Sequence, residues 1–182
     1  MNDNLIDQKS EKKVISFCND NLRNYDLVIV NDYGHGFMTD KIIKVLEKKS
    51  KFLAVNAQIN AGNQGYNLIT KYKKAHYVCL DLEEAKRAIQ IKDINKNKIL
   101  DELFSLIDAK YISVTIGAEG SISKEKNKKI HNNPAFTNII VDTISAGDTY
   151  FATSAMTLLL SESIELSSFI GNLSGALAVG LL

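Results

Sequence analysis

Short runs of consecutive apolar residues recur along the chain and alternate with longer amphipathic segments. The runs lie in "YDLVIVND", "KFLAVNA", "HYVCLD" and "KYISVTIG". Uninterrupted apolar runs of this length are typical of strands covered on both faces. The segments between them carry apolar residues three or four positions apart, which is the spacing of a helix face. This alternation predicts an α/β fold of three layers, with a mainly parallel sheet between helices, formed by residues 1–182 as a single domain.

The pattern changes after Gly120, where "SISKEKNKKIHNNPAFTNII" predicts short antiparallel strands and turns. Before that point, "NKNKILDELFSLIDA" places its apolar residues on one helical face, so we predict a helix through Ala109. A short helix is predicted around Leu68 to Tyr72. From Ala146 onward two further helices are predicted, joined near Ser161 to Ile164.

Polar residues and glycines follow each of the four predicted parallel strands. The segments are "NDYGHG", "NAQINAGNQG", "DLEE" and "TIGAEG", in chain order. Because the carboxyl ends of parallel strands meet at one edge of a sheet, ligands of open α/β sheets bind there. The sequence therefore predicts a pocket at this edge.

Composition and charge narrow the functional classes. The chain is 45% hydrophobic and 24% charged with a formal net charge of +1, so it lacks the basic excess of a nucleic-acid-binding protein. Its apolar stretches are shorter than the roughly 18 residues of a membrane span. Cys18 and Cys79 stand far apart and the three histidines share no ligand spacing, so no metal site built on them is expected. The cysteine usage and the lack of a signal peptide predict a reducing, cytoplasmic setting.

The stretch "DTISAGD", Asp142 to Asp148, stands where a strand is predicted to end and a helix to begin. The first turn of a helix has backbone N–H groups without partners, and small residues let an anion approach them. Ser145, Ala146 and Gly147 are thus predicted to present amides to a phosphate group. Asp148 on the same turn is placed to accept a proton from an alcohol, as phosphoryl transfer requires. The alternative is an acid that merely caps a helix.

The longer stretch "DTISAGDTYFA" resembles the second signature of the ribokinase-like, PfkB-type carbohydrate kinases, Asp-Thr-x-Gly-Ala-Gly-Asp. Three shorter segments occur in that family's order. "DLEEA" is similar to its Asn-x-x-Glu-Ala segment, "TIGAEG" to its nucleotide loop, and "NLSGALAV" to the helix after the signature. "NDYGHG" and "PAF" resemble segments of the heptose-phosphate kinases of the family.

This resemblance implies ATP-dependent phosphorylation of a hydroxyl on a sugar or sugar phosphate. It implies that Asp148 is the general base and that the amides of Ser145, Ala146 and Gly147 form the anion hole. The residues implied to contact the nucleotide are Thr115, Gly117, Gly120 and Asn172. Glu84 matches the acid that organises water around Mg²⁺, so it binds the metal indirectly. Asp142 and Thr143 match a monovalent-cation site of some members.

The sequence also departs from the family pattern. Ser145 stands where Gly is usual, Asp81 where Asn is usual, and "VNAQ" replaces a frequent Asp-Pro pair. The N-terminal half of such kinases, with its sugar-contacting lid, has no counterpart here. We therefore expect the C-terminal, nucleotide-side portion of a kinase domain, which associates with itself or with a missing N-terminal half. The alternative is a remnant that binds nucleotide or a partner without catalysing.

Three asparagines of the segment after the second predicted strand carry two alternatives. They either line a sugar site or cap and terminate helices, and the pattern leaves both open. They are Asn60, Asn63 and Asn67.

Overall fold

The structure is a computed structural model that describes residues 5–59, 65–137 and 146–180. These residues contain six helices and six strands. The helices are α1 (Gln8–Asn21), α2 (Asp40–Lys49), α3 (Leu82–Ile89), α4 (Lys96–Leu106), α5 (Ala146–Ser161) and α6 (Ile164–Gly180). The strands are β1 (Val28–Asp32), β2 (Leu53–Ala57), β3 (Lys74–Asp81), β4 (Asp108–Thr115), β5 (Ser121–Glu125) and β6 (Ile130–Asn133). Single 3-10 turns span Leu22–Asn24, Ile69–Lys71 and Gly117–Glu119.

The strands form one sheet in chain order from β1 to β6. β1 to β4 are parallel to their neighbours, whereas β5 and β6 are antiparallel. In this register Asp32 lies beside Ala57, and Asp81 lies beside Thr115. The polar residues that end these strands therefore share one edge of the sheet, as the sequence predicts.

Helices cover both faces of this sheet. The larger buried cluster lies on the face covered by α1 to α4. A second cluster joins β2, β3 and β4 to α5 and α6, and its members are Ala54, Tyr77, Cys79, Tyr111, Tyr150, Phe151, Ala155, Leu158 and Ile164. The predicted three-layer α/β architecture is confirmed. No helix within the described ranges is both long and apolar enough to cross a membrane.

Two predicted boundaries are wrong in detail. The fourth helix ends at Leu106 rather than Ala109, because β4 begins at Asp108. The backbone amide of Asp108 donates to the carbonyl of Lys73 at 3.0 Å, which starts the parallel pairing with β3. Pairing of β4 with β3 thus overrides the helical spacing of the sequence. The helix predicted around Leu68 to Tyr72 is a single 3-10 turn, Ile69–Lys71.

Tyr150 joins α5, α6 and the sheet at one point. Its side chain is buried, and its hydroxyl donates to Oγ of Ser121 in β5 at 3.2 Å. A Cβ atom added at Gly171 of α6 would lie 2.8 Å from the Tyr150 ring. A Cβ atom added at Gly175, one turn later, would lie 3.6 Å from its nearest neighbour, the carbonyl oxygen of Ala146. Gly171 therefore permits the close approach of α6, whereas Gly175 is not required for packing.

We expect Gly171→Ala to lower the free energy of unfolding by about 1–3 kcal/mol, because the added methyl group must displace a buried ring. Gly175→Ala is the matched control on the same helix. It should raise stability by up to about 1 kcal/mol, since alanine favours helix over glycine. Urea unfolding followed by circular dichroism measures both. Equal effects of the two substitutions would contradict the importance of the Tyr150 contact.

Candidate active site

Asp148 is the third residue of α5, and its carboxylate faces the loops that follow β1 and β2. Its Oδ1 accepts from Nε2 of Gln58 at 2.7 Å and from Nδ2 of Asn31 at 3.5 Å. Its Oδ2 accepts from the hydroxyl of Tyr33 at 3.2 Å. Burial, and then the charge of Asp148, raise the pKa of Tyr33, so this hydroxyl stays protonated and donates. Asp148 thus lies at the edge of the sheet where the parallel strands end, as the sequence predicts.

The start of α5 contributes the residues predicted for anion binding. Ala146 and Gly147 open a helix of 16 residues, so their amides have no partner within the helix. A Cβ atom added at Gly147 would meet nothing within 4 Å, which leaves open space in front of this turn. Ser145, Asp142 and Thr143 lie outside the described residues. The anion hole and the monovalent-cation site stay predictions.

Glu84 is buried at the start of α3 and forms a capping box with Asp81. Oδ1 of Asp81 accepts from the Glu84 amide at 2.7 Å, and Oε2 of Glu84 accepts from the Asp81 amide at 2.9 Å. Oε1 of Glu84 also accepts from the amide of Ile59 at 3.1 Å, and Nδ2 of Asn56 donates to Oε2 at 3.4 Å. This cap was not predicted from the sequence, although Asp-x-x-Glu before an apolar run is its signature. It also accounts for Asp81, because Asp caps a helix as well as Asn does.

Two neighbouring cavities gather the predicted site residues. The larger, about 600 Å³, lies between the β4–β5 loop, the start of α3 and one side of α6. It is lined by six of the predicted residues: Thr115, Gly117, Gly120, Ala146, Gly147 and Asn172. The smaller, about 220 Å³, is lined by Glu84 and Asp148. Asp81, Thr115 and Gly147 line both cavities, so the nucleotide residues adjoin the candidate base.

The loop after β4 packs through Gly120 against the end of β6, which α6 holds in place. Gly120 has φ +92°, and a Cβ atom there would lie 2.0 Å from the carbonyl oxygen of Asn133. Nδ2 of Asn172 donates to the carbonyls of Asn133 at 3.0 Å and Pro134 at 3.3 Å. Asn172 therefore holds the wall of the larger cavity in place, in addition to lining it.

Asn67 does something that neither alternative from the sequence included. It is buried, and its Nδ2 donates to the carbonyls of Asp32 at 2.7 Å and Gln58 at 3.2 Å. It thereby fastens the ends of β1 and β2 to each other. Asn60 and Asn63 lie outside the described residues, so both of their alternatives stay open.

Sequence reasoning also missed the donors around Asp148. Tyr33 and Asn31 belong to "NDYGHG", and Gln58 belongs to "NAQINAGNQG". Both segments were predicted to border a pocket, but none of these three residues was assigned a role. No local pattern connects Gln58 with Asp148, 90 residues later.

A family model described as "pfkB family carbohydrate kinase" matches residues 2–181, nearly the whole chain. The chain belongs to the pfkB family of carbohydrate kinases. Among curated proteins of similar sequence, the bifunctional protein HldE of Campylobacter curvus is 28% identical over 172 residues, covering 93% of this chain and 36% of that protein. HldE of Aliarcobacter butzleri is 26% identical over 180 residues, covering 97% of this chain and 37% of that protein. The chain thus spans little more than a third of the length of these relatives.

Solved structures show the same fold. Phosphofructokinase-2 from Escherichia coli, in its tetrameric inhibited form, has a TM-score of 0.81 at 14% identity, covering 97% of this chain and 59% of that one. Arabidopsis thaliana ribokinase, complexed with ribose and ATP, has a TM-score of 0.68 at 15% identity, covering 97% and 54%. The predicted ribokinase-like fold of this pfkB member is therefore confirmed, over a little more than half of those chains.

Burial, and then the charge of Asp81, raise the pKa of Glu84 from its ordinary 4.5 to about 7. Between these two values the folded chain retains a proton that the unfolded chain has lost. The stability contributed by this proton is complete below pH 4.5 and is lost as the pH rises towards 7.

We expect the free energy of unfolding of the wild type to fall relative to Glu84→Gln over this pH range. Glutamine keeps the capping box but does not titrate. Urea unfolding at several pH values gives the comparison, and Glu83→Gln is the control because its side chain is 69% exposed. Parallel pH profiles of the wild type and Glu84→Gln would rule out a raised pKa at Glu84.

Proposed function

We propose that this chain is the nucleotide-binding and catalytic part of a kinase that transfers phosphate from ATP to a hydroxyl of a sugar or sugar phosphate. The observation that carries the proposal is the position of Asp148, at the helix start where the two cavities adjoin. Membership of the pfkB family and the relation to HldE support this reaction class. A bound nucleotide and an acceptor hydroxyl are thereby assigned to adjacent spaces.

ATP is assigned to the larger cavity, with its nucleoside beside α6 and its phosphates directed towards α5. Thr115, Gly117 and Gly120 border it from the loop after β4, and Asn172 borders it from α6. The amides of Ala146 and Gly147 are assigned to the transferring phosphoryl group. The amide of Ser145 is proposed to join them. Helix N-termini favour anions because the unpaired amides and the helix dipole act together.

Asp148 is assigned as the general base for the acceptor hydroxyl. Its carboxylate lies in the smaller cavity, at the side where phosphate charge would collect. Its side-chain donors among the described residues are all neutral, so they orient the carboxylate without pairing it with a cation.

The residues of the site fit a Mg²⁺ ion that is held through water and phosphate rather than by a protein cage. The described part of the chain contains no group of three or more His, Cys, Asp or Glu that could hold a metal ion. The Glu84 carboxylate lines the smaller cavity together with Asp148, where it can bind the water ligands of such an ion. When bound, Mg²⁺ supplies positive charge that offsets the phosphates.

A second candidate function is nucleotide or partner binding without catalysis. The observation that favours it is the open acceptor side of the base, where Tyr33 is 41% exposed. Kinases exclude water from this region during transfer. The association with another chain that the sequence predicts would cover this side of the base.

We expect Asp148→Asn to lower phosphate transfer to sugars by about 10²–10⁴-fold, because the amide keeps the shape of the side chain but is not a base. Affinity for a non-hydrolysable ATP analogue should change little, since the amides at the start of α5 remain. Coupled ADP release and calorimetry measure the two quantities.

Asp93→Asn, in an exposed turn, is the control. Normal turnover of Asp148→Asn would leave the helix-cap interpretation as the better one. Nucleotide binding without turnover in every version would favour the second candidate.

We expect Ala176→Leu to weaken binding of the ATP analogue by about 10-fold or more, because Ala176 lines the larger cavity and a leucine would fill nucleotide space. Ala178→Leu, two residues later on α6 and not part of that lining, is the matched control. Calorimetry of both variants, with circular dichroism to confirm folding, makes the comparison. Equal affinities would show that the nucleotide binds elsewhere.

A further inference from the structure

The two oxygens of the Asp148 carboxylate are held unequally. Oδ1 accepts from the Gln58 amide at 2.7 Å and from the Asn31 amide at 3.5 Å. Oδ2 accepts from the Tyr33 hydroxyl at 3.2 Å. A carboxylate oxygen has two lone-pair directions for hydrogen bonds. The described residues therefore occupy both directions of Oδ1 and one direction of Oδ2.

Gln58 is itself fixed at the end of β2. Its backbone amide donates to the carbonyl of Asp32 at 2.8 Å, which continues the pairing of β1 with β2. Its carbonyl accepts from Nδ2 of the buried Asn67 at 3.2 Å, and the same Nδ2 donates to the carbonyl of Asp32. The side-chain amide that meets Asp148 thus projects from a backbone fixed on both sides. A donor fixed in this way needs little rearrangement during a reaction.

From this geometry we propose that Gln58 is a positioning residue for Asp148. Its amide holds Oδ1, so that the remaining lone pair of Oδ2 takes the proton of the acceptor hydroxyl. The inference rests on the proposed kinase function and adds a role for "VNAQ", the segment that departs from the family pattern. Tyr33, on the exposed side of Oδ2, marks the direction from which the acceptor approaches.

In the assigned reaction the O–H bond of the acceptor breaks and its proton moves to Oδ2 of Asp148. The electron pair of the acceptor oxygen forms a bond to the γ-phosphorus of ATP. The bond from that phosphorus to the bridging oxygen breaks, and its electron pair leaves with ADP. Gln58 keeps its hydrogen bond to Oδ1 throughout, so the carboxylate does not rotate while the proton moves.

Nuclear magnetic resonance tests the contact directly in the ¹⁵N-labelled chain. The side-chain amide protons of Gln58 should shift when Asp148 is changed to Asn, and those of Gln8, an exposed residue at the start of α1, should not. Addition of an ATP analogue and a sugar should leave the Gln58 resonances close to their original positions. Loss of the hydrogen-bonded resonance on addition would show that the acceptor displaces Gln58, which would overturn the positioning role.

Enzyme kinetics tests the consequence of the Gln58–Asp148 contact for catalysis. Gln58→Ala should lower kcat about 10- to 100-fold, because a mobile carboxylate is misaligned with the hydroxyl. The KM for ATP should change less than about twofold, since Gln58 does not line the nucleotide cavity. Gln8→Ala is the matched control and should behave as the wild type. A rise in KM with an unchanged kcat would instead make Gln58 a substrate-binding residue and would overturn the proposal.

Gln58→Glu adds a readout that a purely structural role would not move. The new carboxyl group would face Asp148 directly, beside Tyr33 and Asn31, with Asp81 and Glu84 across the smaller cavity. It donates to Oδ1 only when protonated, so activity relative to the wild type should rise as the pH falls. A pH-independent ratio would contradict the positioning role.

These experiments distinguish a failure of the proposed kinase function from a failure of the positioning role of Gln58. A wild-type chain that phosphorylates no sugar overturns the proposed function, and the positioning role falls with it. An active wild type together with a normal kcat for Gln58→Ala overturns the positioning role alone.

Discussion

Parallel pairing of buried strands is the constraint on which the rest of the structure depends. Parallel neighbours need a crossover connection, so α2 joins β1 to β2, and α3 and α4 join β3 to β4, with all three helices packed on the sheet. The carboxyl ends of these strands then share one edge, and their polar residues follow. α5 covers the face of the sheet that α1 to α4 leave open, and it begins at this same edge. Asp148 therefore contacts side chains that are far away in sequence.

Three carboxylates at this edge differ in their partners, and the partners distinguish their roles. Asp32 is buried against a cation and a phenol, with Nζ of Lys71 at 2.5 Å and the hydroxyl of Tyr72 at 2.7 Å, which makes it structural. Glu84 is held by amides, and burial raises its pKa to about 7. Asp148 is held by neutral side-chain donors beside an open cavity. Of the three, Asp148 is thus the one proposed to exchange a proton with a ligand.

The sequence predicted the layers, the strands and the sheet edge because each depends on periodicity that is local in the chain. It also predicted Thr115, Gly117, Gly120 and Asn172 as neighbours, and the structure brings them to one cavity. It misplaced the end of α4, where pairing with β3 outweighs a helical pattern. It missed the contact of Gln58 with Asp148, because nothing local encodes a hydrogen bond across 90 residues. The capping box of Asp81 and Glu84 could have been predicted from the local sequence, but Glu84 was interpreted only as a residue near the metal.

The charge at this edge sets a condition on any nucleotide that binds there. The described residues that line the two cavities include no lysine or arginine but include five acids: Asp81, Glu83, Glu84, Glu119 and Asp148. Phosphates would add negative charge, so helix-start amides and a cation must offset it. The same reasoning accounts for Gln58. An ammonium group in its place would orient Asp148 equally well, but its full charge would stabilise the carboxylate and weaken it as a base. A neutral amide fixes the direction of the carboxylate and leaves more of its basicity for the acceptor hydroxyl.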